Sequence, residues 1–334
     1  MSISARSLIF ALLSLASLTT LAWGPKGHEV VGAVADKLIA GTHAGEKVQQ
    51  ILGMELAGAA LWADCAKSVN NNSGQFFYFA NPRFRDCKLF ESDEGKQRMV
   101  DFVKRNWDTC HPEPGEEACH KQYHYTDVAI QHDKYVRGLA GTSDHDVVAA
   151  INAAVLVLKG KPAPAPFSIA DQREALLMLA HYVGDIHQPL HVGAVYLGGD
   201  GDVIDPDKAT YDPSTKTNGG NEIDAHGPNL HAVWDETPPN MDPLALDDKL
   251  LELARNTPTT SGDVMQWSTL WATDSLQLAK QAYAGLGYKH EAVHGHPWSA
   301  TYPDHYAEMR HEIQYAQLAK AGAHLAQLLQ SIWP

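Results

Sequence analysis

Two short segments carry the residues best suited to chemistry: His181-x3-Asp185-x5-His191 within LAHYVGDIHQPLH, and His231-x3-Asp235 within NLHAVWDE. Residues four apart on a helix share a face, so each His–Asp pair can converge on one point. Neutral imidazole and carboxylate are common nitrogen and oxygen ligands of Zn²⁺. Pro189 breaks the first helix before His191, which can therefore point elsewhere than His181 does. Two such pairs plus a further histidine call for more than one metal ion.

Further candidates lie upstream. Trp23-Gly-Pro-Lys-Gly-His28 offers an imidazole and, if the chain is cut before Trp23, a free α-amine. An α-amine has a reference pKa of about 7.7–8.0, so a metal can displace its proton near neutral pH. Asp64 lies in LWADCAK, and His124 and Asp127 lie in YHYTD. Taken singly, each has an ordinary reading as a core or surface residue; it is the joint pattern that points to a metal centre. The 18 histidines are many for a chain of 334 residues.

A leader precedes these residues. Arg6 is followed by an apolar run from Leu8 to Leu18, and Thr20 and Ala22 put small residues at the −3 and −1 positions of a cleavage site. Residues 1–22 therefore read as a secretory signal peptide, and 23–334 as one domain that is secreted or periplasmic. No later stretch is apolar for long enough to span a bilayer. Four cysteines suit an oxidising compartment and two disulfides, which three pairings could satisfy. Cys110 with Cys119 looks local; Cys65 with Cys87 would then tie down the segment near Asp64. A cysteine zinc site competes, but no CxxC spacing exists.

The formal charge is −14, and no basic patch of the kind that grips duplex phosphates is visible. A polyanionic substrate is still admissible, because clustered divalent metals supply positive charge locally.

The elements that must position these residues read mostly as helix. Apolar periodicity predicts helices over Val30–Ala40, Gln97–Trp107, Asp144–Leu158, Ile169–Ile186, Pro243–Ala254, Trp267–Ala284 and Tyr302–Trp333. Ser143 or Asp144, Ser168 and Asp304 are the expected N-caps. The Pro-rich LKGKPAPAPFS reads as a loop rather than a domain boundary, since candidate ligands lie on both sides of it. Leu197–Asn229 is the exception, rich in Gly, Asp, Pro, Thr and Asn. Val195–Leu197 and Asn221–Ala225 could pair as a hairpin flanking it. Its Asp200, Asp202, Asp205 and Asp207 lack the EF-hand pattern and read as a solvated loop rather than a calcium site.

The order of these segments resembles the S1/P1 nuclease family of zinc-dependent enzymes. The resemblance rests on Trp23 with His28, WAD ending at Asp64, HYTD from His124, HYVGDIHQPLH from His181 to His191, and GGN followed by NLHAVWD. It extends from Trp23 to Asp235 and implies a mostly α-helical fold, related to zinc phospholipase C, holding three zinc ions in a cleft. Carried onto matching positions, it assigns one zinc to Asp64, His124, His181 and Asp185. A second falls to the Trp23 amine and carbonyl, His28 and a bridging Asp185, and a third to His191, His231 and Asp235. His187 matches no family ligand and reads as supporting or structural.

The resemblance also implies the reaction. A hydroxide generated on the zinc cluster attacks phosphorus in line, the third zinc stabilises the departing 3′-oxygen, and the products carry 5′-phosphates. Asp127 matches the residue that orients or activates the water. Lys67 stands where the family places a cation that offsets transition-state charge, with a plain surface lysine as its alternative. Tyr125 matches an aromatic that stacks on a nucleobase, although a tyrosine beside a ligand is also ordinary core. Stacking tolerates any base and needs unpaired ones, so single-stranded DNA and RNA are the expected substrates of a monomeric enzyme, with 3′-nucleotidase activity alongside. Gly199–Thr217 reads as an insertion beside the cleft.

Two other readings compete. Zinc-dependent phospholipases C share a His-x3-Asp-x5-His core, but their first His falls further from the Trp and their final ligand is typically Glu. A non-enzymatic zinc-binding protein would need the ligands but not Asp127, Lys67 and Tyr125 around them.

Overall fold

The computed structural model describes residues 23–80, 85–113 and 116–334. The expected leader, 1–22, lies outside the described residues. The helices are α1 (Pro25–Ile39), α2 (His43–Leu52), α3 (Leu56–Ala59), α4 (Trp62–Ala66), α5 (Asp93–Arg105), α6 (Cys119–Gln122), α7 (Val147–Leu158), α8 (Gln172–Asp185), α9 (Leu230–Asp235), α10 (Asp248–Arg255), α11 (Trp267–Tyr283) and α12 (Tyr306–Ile332). The strands are short: β1 (Val69–Asn72), β2 (Gln75–Tyr78), β3 (Val128–Ala129), β4 (Gly193–Ala194), β5 (Tyr196–Leu197), β6 (Val203–Ile204), β7 (Ile223–Asp224), β8 (Gly287–Val293) and β9 (His296–Thr301). The mostly α expectation holds.

Helix α8 is the hub. Every residue from Glu174 to Asp185 is buried, as an apolar sequence interrupted by His and Asp demands when neighbours cover all sides. It packs on α1, α2, α4, α7 and α12. The α1–α12 crossing is close: a Cβ at Gly322 would stand 2.5 Å from Val34 Cβ, so only glycine fits there. Ser275 on α11 donates to the Ile186 carbonyl just past the end of α8 (2.6 Å).

The predicted caps are displaced. The Asp146 side chain accepts from Ala149 N–H at the start of α7, and Asp171 accepts from Glu174 N–H at the start of α8. Neither Ser143, Asp144 nor Ser168 has that place, because the helices begin later than apolar periodicity alone suggests. Asp304 is not a cap either. His305, with φ of 62°, precedes α12 and makes no side-chain cap. Helix α1 starts earlier than expected, at Pro25, where proline's fixed φ suits a first turn.

The predicted hairpin is also corrected. Tyr196–Leu197 pairs antiparallel with Val203–Ile204, whereas Ile223–Asp224 pairs parallel with Trp298–Ser299. Strand β9 turns back on β8, and that antiparallel hairpin went unpredicted, its outer strand being polar and mostly exposed. In the acidic loop, Asp200 and Asp202 are exposed, while Asp207 turns to His132 (2.8 Å). Both disulfides form as the spacing suggested, Cys65–Cys87 and Cys110–Cys119. Among the described residues no helix is long and apolar enough to cross a membrane.

Candidate metal centre

The N-terminus of α1, the end of α8, the turn after it, α4, α9 and the 124–127 segment converge on one region. The Trp23 indole is fully buried and donates to the Gly184 carbonyl (2.9 Å), which brings the start of α1 against the end of α8. There His28 Nε2 lies 3.4 Å from Asp185 Oδ1. On the other carboxylate oxygen, Asp185 Oδ2, stand His124 Nδ1 (2.9 Å) and His181 Nε2 (3.2 Å). Asp64 Oδ1 completes the cluster, 3.6 Å from His181 Nε2 and 3.8 Å from His124 Nδ1. One carboxylate thus faces two sets of imidazoles.

A second cluster forms where Pro189–His191 turns away from α8. His191 Nε2 and His231 Nε2 face one another at 3.0 Å, with the Asp235 oxygens 3.8 and 3.7 Å from them. Asp235 and His231 sit one turn apart on α9, whose first turn is capped by the Asn229 side chain. After Pro189, His191 Nε2 points at His231 rather than at His181, while its Nδ1 stays 3.8 Å from Asp185 Oδ1.

The donor chemistry fits divalent metal. His191 Nδ1 lies 2.8 Å from the His124 carbonyl and His231 Nδ1 2.8 Å from the Gly219 carbonyl, so both Nδ1 atoms carry the proton. In those neutral tautomers two lone pairs face each other at 3.0 Å, an arrangement that a cation between them resolves. His181 is oriented alike, its Nδ1 2.6 Å from the Ala60 carbonyl. Both ring nitrogens of His28, Asp64 Oδ2, Asp185 Oδ1 and Asp235 Oδ2 are buried without a hydrogen-bond partner. Buried polar atoms are rarely left so. Among the described residues four groups each bring their nitrogen and carboxylate donors within 4.8 Å: His28–His181–Asp185, Asp64–His124–His181 and His191–His231–Asp235 here, all buried, and His132–Asp205–Asp207 in the acidic loop, partly exposed.

Electrostatics divide the imidazoles. Burial opposes charge on His181 and His191, but Asp185 and Asp64 raise the first and Asp235 and Asp185 the second, whereas the other three are lowered. Burial and the neighbouring His181 push the His28 imidazole down, toward the neutral form a ligand needs. Burial likewise lowers His124 and His231. Burial would raise the Asp64 carboxyl, but the Lys67 ammonium and the imidazoles of His181 and His124 outweigh it and hold it at about 2. Lys67 Nζ is 2.7 Å from Asp64 Oδ1.

These clusters open on a cleft of about 830 Å³ lined by Lys67, His124, Tyr125, Asp127, His191 and His231 among others. Asp127 is fixed by its backbone: its N–H donates to the Gly141 carbonyl (3.1 Å) and its own carbonyl accepts from the Tyr196 hydroxyl (2.7 Å). Burial pushes its carboxyl up to about 6, with Lys216 and His191 pulling the other way. Gly219, with φ of 60°, belongs to this wall. A Cβ there would stand 2.6 Å from the Leu190 carbonyl and 3.4 Å from Asp127 Oδ1. His187 lies apart, its Nε2 2.8 Å from His324 Nδ1 in the core.

Some residues escaped the sequence reading. Gln188 donates to Asp235 Oδ1 (2.7 Å) and its own oxygen accepts from Leu190 N–H, so it locks the second cluster. Its place between two candidate ligands was the available signal. Lys216, Pro213 and Ser214 line the cleft from the insertion, where no spacing marked them.

Fold and site together define a mostly helical protein built around buried His/Asp groups suited to divalent metal. The model of the S1/P1 Nuclease family matches residues 23–334, and the chain belongs to that family. It is similar to Endonuclease 2 of Arabidopsis thaliana, 26% identical over 335 residues that cover 93% of this chain and 90% of that one. Nuclease S1 of Aspergillus oryzae is 27% identical over 241 residues, 69% of this chain and 58% of its own length. Endonuclease 4 of Arabidopsis thaliana is 32% identical over 181 residues, about half of each chain (48% and 50%).

Proposed function

We propose that the chain is a zinc-dependent phosphodiesterase that degrades single-stranded DNA and RNA to 5′-mononucleotides and removes 3′-phosphates from nucleotides. Residues 1–22 are its signal peptide, and residues 23–334 act as a secreted or periplasmic monomer. The observation that carries this reading is the convergence of three His/Asp groups under one cleft that also presents Asp127 and Tyr125. Asp64, His124, His181 and Asp185 would hold one zinc. The Trp23 amine and carbonyl, His28 and Asp185 would hold a second, and His191, His231 and Asp235 a third.

Bound zinc supplies Lewis acidity that makes water nucleophilic near neutral pH and offsets phosphoryl charge. The protein's own residues do the rest. The Asp127 carboxylate, raised to about 6, accepts a proton from the attacking water. Lys67, at the cleft wall beside Asp64, offsets charge on the equatorial oxygens as they gain it. Tyr125 offers a stacking face that accepts any unpaired base, worth roughly 1–3 kcal/mol per base.

Protein starting at Trp23, incubated with single-stranded DNA and with RNA, should release 5′-mononucleotides. Chelator should abolish the release and zinc restore it. Choline phosphate freed from phosphatidylcholine, with no nucleotide freed from nucleic acid, would overturn the proposal.

A further inference from the structure

The cleft holds three lysines, and two of them already have partners. Lys67 pairs with Asp64 at 2.7 Å, and Lys121 lies 3.9 Å from Glu117. Lys216 pairs with no carboxylate within 4.0 Å among the described residues, yet it lines the same cleft.

Its placement is built into the chain. Residues 215–217 run beside β5, with Lys216 bridged antiparallel to Tyr196. The two threonines on either side face inward and are buried. Thr215 Oγ1 donates to the Leu197 carbonyl (2.6 Å) and Thr217 Oγ1 to the Val195 carbonyl (2.7 Å). With both neighbours anchored inward at the end of the Pro213–Thr215 turn, Lys216 faces outward and is exposed. Tyr196, its bridge partner, is the residue whose hydroxyl holds the Asp127 carbonyl. Lys216 therefore stands beside the reacting end of the cleft, on the wall formed by the insertion.

The clusters underneath would take one phosphodiester. A cleft of about 830 Å³ lies in the upper part of the range for small-molecule pockets and has room beyond a single nucleotide. Building on the nuclease reading above, we infer that Lys216 is a second phosphate subsite, which binds a backbone phosphate next to the scissile one and so favours oligonucleotides over dinucleotides. An ammonium is suited to this because it grips phosphate as a point charge without reading the base. Its charge also bears on Asp127, so some effect on the chemistry is expected as well.

The test compares thymidylyl-thymidine, which has one phosphate, with a thymidine tetranucleotide, in wild type and Lys216→Met. The kcat/KM on the tetranucleotide should fall about tenfold further than on the dinucleotide, mainly through KM. The salt dependence of tetranucleotide kcat/KM should flatten by about 0.7 in log–log slope, one phosphate contact on a single strand. Lys216→Arg should restore most of both. Equal losses on the two substrates would place Lys216 on the Asp127 chemistry alone, and no loss on either would make it a bystander; each result overturns the subsite. If the wild type cleaves neither substrate, the nuclease reading fails by itself. Binding of oligothymidylate by calorimetry then decides the subsite: weakening by Lys216→Met supports it and unchanged affinity refutes it.

Discussion

Helix α8, buried beneath the cleft, and the insertion running from β5 to β7, which lines it, are built by opposite means. In α8 every residue from Glu174 onward is buried, and the pitch of the helix itself stacks His181 over Asp185. In the insertion the exposed Lys216 is positioned by two threonine hydroxyls that reach main-chain carbonyls 18 and 22 residues away. The helix carries the proposed ligands, which a metal ion requires to be placed to a fraction of an ångström. The insertion carries a charge that, as the proposed subsite, has only to be near a flexible polyanion. Rigid periodic elements hold the chemistry, and pinned loops adjust what reaches it.

The sharpest way to break that comparison is to remove the carboxylate at the end of α8. Asp185→Ala should lose about two zinc ions per chain by elemental analysis, because its two oxygens face separate imidazoles, His28 on one and His124 and His181 on the other. Asp235→Ala should lose about one. Equal losses would contradict a shared carboxylate. Asp127→Asn comes next. It should keep its zinc and lose roughly 10²–10⁴ in kcat, the range for removing a positioned base. Loss of zinc in that variant would make Asp127 a ligand.

The smallest expected effect concerns the buried side of α8. His187 and His324 are hydrogen-bonded in the core, and burial with a neighbouring positive charge lowers both, His324 to about 4. A lowered pKa means that the unfolded chain binds protons first. The contribution is therefore full above about pH 6.5 and is lost as pH falls toward 4. Between those limits the wild type should lose more melting temperature than His324→Leu. Parallel losses in the two proteins would show that the pair does not titrate in the fold.

The same contrast explains what could be read from the residues alone. The α8 and α9 ligand pairs were legible because four-residue spacing on a helix is a geometric statement. Asp64, His124 and His28 were legible only through their company, since a single His or Asp carries no such statement. The caps were misplaced because Asp146 and Asp171 compete with nearby Ser and Asp residues, and the choice depends on where neighbouring helices stop the chain. The β7 pairing was misread because its partner, Trp298, lies 75 residues downstream of Ile223, a distance at which no local alternation reports. Lys216 was invisible for a related reason, as its neighbours' anchors lie in a different strand.

On the proposed function, three zinc ions would sit at the crossing of α1, α8 and α9, one of them held by Trp23 as the first residue of the mature chain. Elemental analysis of two proteins tests it most directly: one starting at Trp23, and one carrying a few extra residues before it. An amide in place of the α-amine is a very poor ligand at neutral pH. The first protein should hold about three zinc ions and cleave single-stranded DNA, and the second should hold about one fewer and lose most of its activity. Equal zinc and equal turnover in the two proteins would contradict the account, as would fewer than three ions in the first.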